Sequence, residues 1–281
     1  KTGDEVIIPS FVCTALLNAI NYIGAVPVIA DINEEDFNLS LGDTKKRITK
    51  KTKAIIIPHM FGTPCQETIR FKETGIPIIE DCAQSIGSKI GGKYVGTIGD
   101  VSIFSFYATK VITTGEGGMA ASNSLELIKR IYDLRDYDNK DDYMVRYNYK
   151  MTDIQAAMGI EQLKKLPDFI NRRRIIAERY NKGLKDLPLR LPAVSSDSEG
   201  IWFRYVLCSE GVDSLIKYLH ENRISAVKPV FKPLHILLGN KGDCPVSEKA
   251  WNNTISLPIY PSLSETDVEK VVECVISFYN Q

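Results

Sequence analysis

Lys110 lies in the stretch SFYATKVITTGEGGM (105–119), between an apolar run that ends in Ser105 and a loop holding Thr113, Thr114, Gly115, Gly117 and Gly118. Asp81 closes a second apolar run, IPIIED (76–81). Both runs have strand length. In open α/β sheets, ligands gather at the carboxyl ends of the strands. An amine and a carboxylate at neighbouring strand ends form either a structural ion pair or the two anchors of a cofactor.

Pyridoxal phosphate is the cofactor that asks for this pair. It takes a lysine for covalent attachment and commonly an acid beside its ring nitrogen. The acid keeps that nitrogen protonated, so the ring can accept electrons when a Cα–H bond breaks. Other motif readings of the loop fail. GEGGM (115–119) does not complete the dinucleotide fingerprint G-x-G-x-x-G, and no G-x-x-x-x-G-K-[ST] makes Lys110 a Walker lysine. His59, His220 and His235 have no serine elbow or cysteine motif to make a triad. From the residues alone, an ordinary exposed lysine and a cofactor lysine both stay open.

The elements that position these groups follow from apolar patterning. EVIIP (5–9), PVIADI (27–32), AIIIPHMF (54–61), PIIED (77–81) and VSIFSF (101–106) are near-continuous apolar runs, as expected of parallel strands covered on both faces. Between the first two, Val12, Leu16, Ala19, Ile20 and Ile23 have helical spacing, ended by Gly24. Strand, helix and strand in repetition predict a doubly covered α/β sheet. Further on, Thr152 and Gln155 make a capping-box pair before TDIQAAMGIEQLKKL, a helix expected to stop at Pro167. A second helix is expected after it, with Arg172, Arg173 and Arg174 on a solvated face. SSDSEG (195–200) reads as a loop, RYVLCS as a strand, VDSLIKYLHEN as an amphipathic helix and the segment from Ser264 as a last helix. A boundary near residue 185 separates a large domain, 1–185, from a smaller one, 186–281.

Composition narrows the partners. Lys+Arg and Asp+Glu are both 35 in 281 residues, so formal net charge is zero. No basic excess points to nucleic acid or an anionic membrane. The six cysteines are scattered without C-x-x-C, which fits free thiols in a reducing cytoplasm and gives no zinc spacing. No apolar run reaches the roughly 20 residues of a membrane span.

The blocks GDEVIIPSF, GAVPVIADI, IIIPHMFG, IEDCAQSIG, GDVSIFSFYATK, TTGEGGM and YNYKMTDIQAA occur in an order that resembles the DegT/DnrJ/EryC1/StrS family of pyridoxal-phosphate sugar aminotransferases. PLHILLG and SLPIYPSLSETDVEKVV extend the likeness more loosely toward the C-terminus. The resemblance implies the aspartate aminotransferase fold: a large, mainly parallel sheet domain plus a smaller α+β C-terminal domain. Carried over by position, Lys110 matches the lysine that holds the cofactor, and Asp81 the acid on its ring nitrogen. Gln84 matches a glutamine near the ring oxygen, and Ser105 a serine on the cofactor phosphate. Asn148 matches the asparagine lent to that phosphate by the other subunit of a homodimer with shared active sites. Dehydrating relatives replace the lysine with histidine, so Lys110 argues against that branch.

Two departures accompany the likeness. Family members usually carry, before the GDEV block, a helix whose start holds a Gly-Thr pair that builds much of the phosphate cup. The sequence starts at Lys1, after that point of the family pattern; either the preceding residues are unrecorded or the chain is a fragment that does not close the cup alone. The family's aromatic ring over the cofactor aligns with Cys13, a smaller polarizable group. The implied activity is transfer of an amino group from an amino acid, glutamate, to a ketosugar linked to a nucleotide, in polysaccharide or amino-sugar assembly. A ketocyclitol acceptor and a catalytically silent relative are the alternatives. His59 at a strand end and His235 in PLH are each candidates either for the cleft or for structure.

Overall fold

The computed structural model describes all residues from Lys1 to Gln281. Strands β1 (Glu5–Pro9), β2 (Val26–Ala30), β3 (Thr52–Pro58) and β4 (Ile78–Asp81) alternate with helices α1 (Ala15–Tyr22), α2 (Leu41–Arg47) and α3 (Thr68–Phe71). A hairpin of β5 (Lys89–Ile90) and β6 (Lys93–Tyr94) precedes β7 (Val101–Ser105), β8 (Gly118–Ala121) and α4 (Leu125–Arg135). The central sheet has the order β2-β1-β3-β4-β7-β8, parallel except for the antiparallel pair β7–β8. Its strands are apolar because both faces are covered. Ile7, Ile8, Ile55, Ile57 and Ile78 are completely buried, each stabilising the fold by about 1.5–3 kcal/mol.

The expected break at Pro167 does not occur. Helix α5 runs from Asp153 to Leu184 with Pro167 inside it. The proline removes one backbone hydrogen bond. Leu166 and Ile170 on either side are buried against Phe106, Ile112 and Phe203, and this packing holds the helix through the defect. The capping box of Thr152 and Gln155 starts it, as the sequence predicts. The second half of α5 packs Ile176, Ala177, Tyr180 and Leu184 into the C-terminal core.

That core is completed by β10 (Tyr205–Cys208), α6 (Val212–Glu221), β11 (Thr254–Leu257) and α9 (Glu265–Tyr279), while β9 (Ser198–Glu199) pairs with β5. The 195–200 loop therefore contains a short strand. The arginine cluster also departs from expectation. Arg173 is buried and donates to the carbonyls of Trp202, Phe203 and Ile259 at 3.1, 3.2 and 2.9 Å. Arg172 donates to Leu263 O and Arg174 to Gly200 O. These side chains brace the chain segment that crosses the sheet ends, a role that helical periodicity does not reveal.

Two polar contacts seat the C-terminal part on the sheet. Asp31, after β2, accepts from the backbone N–H groups of Val246 and Ser247 and from Ser247 Oγ, capping α8 (Pro245–Asn253). Ser10, after β1, meets His235 Nδ1 at 2.5 Å, while His235 Nε2 faces Glu248 at 3.1 Å. His235, in the short helix α7 (Leu234–Leu237), is thus a fully buried strut.

Candidate active site

Parallel pairing aligns the strand ends. Pro58 pairs with Asp81 and Asp81 with Ile103, so the acid lies at the same sheet edge as Ser105, two residues further along β7. The chain then turns tightly. Lys110 N donates to Tyr107 O, Thr114 N to Phe106 O and Phe106 N to Gly117 O, and Val111 and Ile112 are buried in the core beneath. These anchors on both sides fix the start of the Lys110 side chain.

The glycines after Lys110 serve the turn. Gly117 has φ +150, and an added Cβ would meet Thr114 Oγ1 at 2.6 Å and Met151 Cε at 2.9 Å. Its carbonyl and that of Glu116 are occupied by Phe106 N and Gln155 Nε2.

Lys110 is half-buried, and its Nζ lies 5.4 Å from the centroid of the Phe203 ring. Burial lowers its pKa, outweighing the upward pull of Asp81 and of the Cys13 thiol, with Arg204 adding to the lowering. Asp81 is part-exposed, yet the surrounding protein desolvates it and raises its pKa. The Ala83 N–H and the Lys110 charge only partly offset that. One oxygen of Asp81 accepts from Ala83 N at 2.9 Å, and the other has no protein donor. A free carboxylate oxygen, beside a desolvated amine that is not ion-paired, is the donor set that a pyridine nitrogen and an aldehyde carbon require. The site fits pyridoxal phosphate.

The floor beside this pair is rigid. Glu80, fully buried, accepts from the N–H groups of Gly96, Ile98 and Gly99 at 2.8, 2.7 and 2.6 Å and faces His59 Nε2 at 3.0 Å. Burial pushes the Glu80 pKa up, but the His59 bond and the backbone donors outweigh it and hold the carboxyl below its ordinary value. His59 Nδ1 accepts from Cys65 N, so its Nε2 carries the proton. His59 is buried and structural, and in the cluster of His59, Glu80 and Cys82 the polar atoms of His59 and Glu80 are committed to these bonds.

The remaining predicted residues fall in different places. Gln84 Oε1 accepts from Phe61 N at 2.9 Å, which leaves its amide N–H groups uncommitted. Ser105 Oγ accepts weakly from Tyr107 N at 3.3 Å. Cys13 is exposed and within electrostatic reach of Lys110. Asn148 is exposed on the segment after α4, bridged to Asp136 and away from this hydrogen-bonded cluster. Phe61, Phe203 and Arg204 join the site without any local sequence signal. Phe61 O accepts from Arg204 N at 3.2 Å, and Gly62 (φ +85) lets the turn approach Phe203 N, which a Cβ would meet at 2.8 Å.

A mainly parallel sheet with an unpaired acid and amine beyond adjacent strands is the arrangement a pyridoxal-phosphate enzyme of the aspartate aminotransferase architecture uses. The chain belongs to the DegT/DnrJ/EryC1/StrS aminotransferase family, which residues 1–276 match. It is 38% identical to GDP-perosamine synthase of Vibrio cholerae and 37% to that of Escherichia coli O157:H7, in each case over 99% of this chain and 80% of the relative. Among solved structures, DesV of S. venezuelae superposes with TM-score 0.94 at 29% identity, covering 100% of this chain and 79% of that one. Spr1654 of Streptococcus pneumoniae, solved in a PLP-form and a PMP-form, superposes with TM-score 0.90 in both at 28% identity; the PLP-form covers 99% of this chain and 81% of that one. The protein is an aminotransferase and its cofactor is pyridoxal phosphate. When bound, the cofactor supplies an electron-accepting ring. Asp81 and Lys110 are the groups that would hold it at the strand ends.

Proposed function

We propose that this aminotransferase moves the amino group of an amino acid, glutamate, onto a ketone of a nucleotide-linked sugar, in two half-reactions of ping-pong order. The observation that carries the reading is the Asp81–Lys110 pair at the ends of β4 and β7 in a chain 38% identical to GDP-perosamine synthase. Lys110 holds the cofactor and then serves as the base that moves a proton between two carbons. Its burial-lowered pKa supports that, because a proton carrier needs a free amine near neutral pH. Asp81 faces the ring nitrogen, Gln84 turns its free amide toward the ring oxygen, Ser105 binds phosphate and Cys13 lies against the ring face.

In this reading residues 1–185 bind cofactor and 186–281 form the smaller domain. The protein acts as a cytoplasmic homodimer in which Asn148 reaches the phosphate of the other subunit's cofactor. An apolar cleft of about 560 Å³, lined by Phe104, Phe106, Ile112, Met119, Ile160 and Leu163, supports a partner surface on this face. Six free thiols agree with a reducing compartment, and no helix is long and apolar enough to cross a membrane.

A panel of GDP-, dTDP- and UDP-linked ketosugars, each offered with glutamate and followed by mass spectrometry, tests the proposal. An aminated nucleotide sugar is the expected product. Amination of a free ketocyclitol alone would overturn the acceptor assignment.

A further inference from the structure

Arg204 is the cation of the site on which no acid of the chain acts. Its guanidinium is half-buried yet makes no hydrogen bond and no ion pair. Burial alone pushes its pKa down, with no acid of the chain opposing it. The neighbouring arginines differ, since Arg173 donates to three carbonyls and Arg174 pairs with Glu199. A desolvated, unpaired cation is costly, and an anion brought by a ligand offsets that cost.

The position of Arg204 is fixed by main-chain bonds. Its N–H donates to Phe61 O, and Phe61 N donates to Gln84 Oε1. Its guanidinium carbon lies 5.8 Å from the centroid of the Phe203 ring, the same ring that Lys110 Nζ approaches at 5.4 Å. Arg173 in turn holds the Phe203 carbonyl.

We propose that Arg204 binds the α-carboxylate of the amino donor. The inference rests on the amino-acid donor reading above, but not on glutamate, because every α-amino acid carries this group. A planar guanidinium receives a carboxylate through two parallel hydrogen bonds. The α-carboxylate is one bond from the carbon whose proton the Lys110 amine takes, so its receptor must stand beside that lysine. The diphosphate of a nucleotide-linked ketone is separated from the carbonyl by a sugar ring. Neutralising Arg204 also removes a like charge next to Lys110, making that amine more basic once the donor is in place.

The test titrates the holoenzyme spectroscopically with α-methylalanine, whose Cα carries no hydrogen, and with isopropylamine, the same skeleton without the carboxylate. GDP binding is measured in parallel by calorimetry. The wild type is expected to prefer the amino acid. Arg204→Gln should weaken α-methylalanine binding by about 10- to 100-fold and leave isopropylamine and GDP within twofold, with Arg204→Lys in between. Unchanged α-methylalanine binding in Arg204→Gln overturns the assignment, as does a loss confined to GDP, which would mark a diphosphate site. A wild type with no preference for the amino acid sinks the donor reading itself. A preference that persists in Arg204→Gln sinks only the role of Arg204.

Discussion

Asp81 and Lys110 shift each other's proton affinity without forming an ion pair. Had the carboxylate and the amine closed onto one another, the pair would be a structural bridge with no room between its members. Here the attraction is outweighed on both sides by burial, which raises the acid and lowers the base. The gap is the feature that separates a cofactor site from a salt bridge.

Lys110→Ala is expected to lower amino transfer by at least about 10²- to 10⁴-fold, because it removes the proton carrier as well as the attachment point. Borohydride reduction followed by peptide mapping should find the pyridoxyl label on Lys110 in the wild type and none in the variant. Retained turnover refutes the role.

Asp81→Asn keeps a polar group at the end of β4 but cannot stabilise a charged ring nitrogen. We expect cofactor binding to persist while single-turnover amino transfer falls by about 10²- to 10³-fold. Equal rates in variant and wild type contradict the assignment.

The pH dependence has a definite sign. In its proposed role Lys110 attacks as the free amine, so attachment of pyridoxal phosphate to cofactor-free protein should speed up as pH rises through the Lys110 pKa. That pKa is below 10.5. Because the Asp81 anion pulls it upward, Asp81→Asn should move the limb to lower pH. Stopped-flow absorbance against pH checks the direction, and an alkaline shift counts against the electrostatics described.

Glu80→Gln tests the floor of the site. The wild-type carboxylate accepts three backbone N–H groups and the His59 Nε2–H, and each buried donor left without its acceptor costs about 1–3 kcal/mol. Its folded pKa is depressed, so its contribution is complete above the unfolded carboxyl value of about 4.3 and fades as pH falls through the lower folded value. The difference in melting temperature between wild type and variant should therefore be large at neutral pH and narrow below about pH 4. A pH-independent difference would refute the linkage.

Much of this was legible in the chain itself. The continuous apolar runs that became β1, β3, β4 and β7 require cover on both faces, which their alternation with helical segments along the chain supplies. Thr152 with Gln155, and Ser264 before α9, are caps whose chemistry is complete within four residues. The same locality placed Asp81 and Lys110 at strand ends.

Tertiary structure decided the rest, because those outcomes depend on groups far apart in sequence. Pro167 would end an isolated helix, yet packing of Leu166 and Ile170 carries α5 through it. Arg173 has the spacing of a solvated residue, but its partners at 202, 203 and 259 exist only after the C-terminal segment folds across α5. His59 and His235 became struts for the same reason, through Glu80 and Cys65 in one case and Ser10 and Glu248 in the other. Arg204 sits 94 residues after Lys110. Local patterning records no reason for it to approach that lysine. The Phe61 turn and the buried Phe203 ring bring the two cations to one aromatic ring, and only one of them has an acid acting on it.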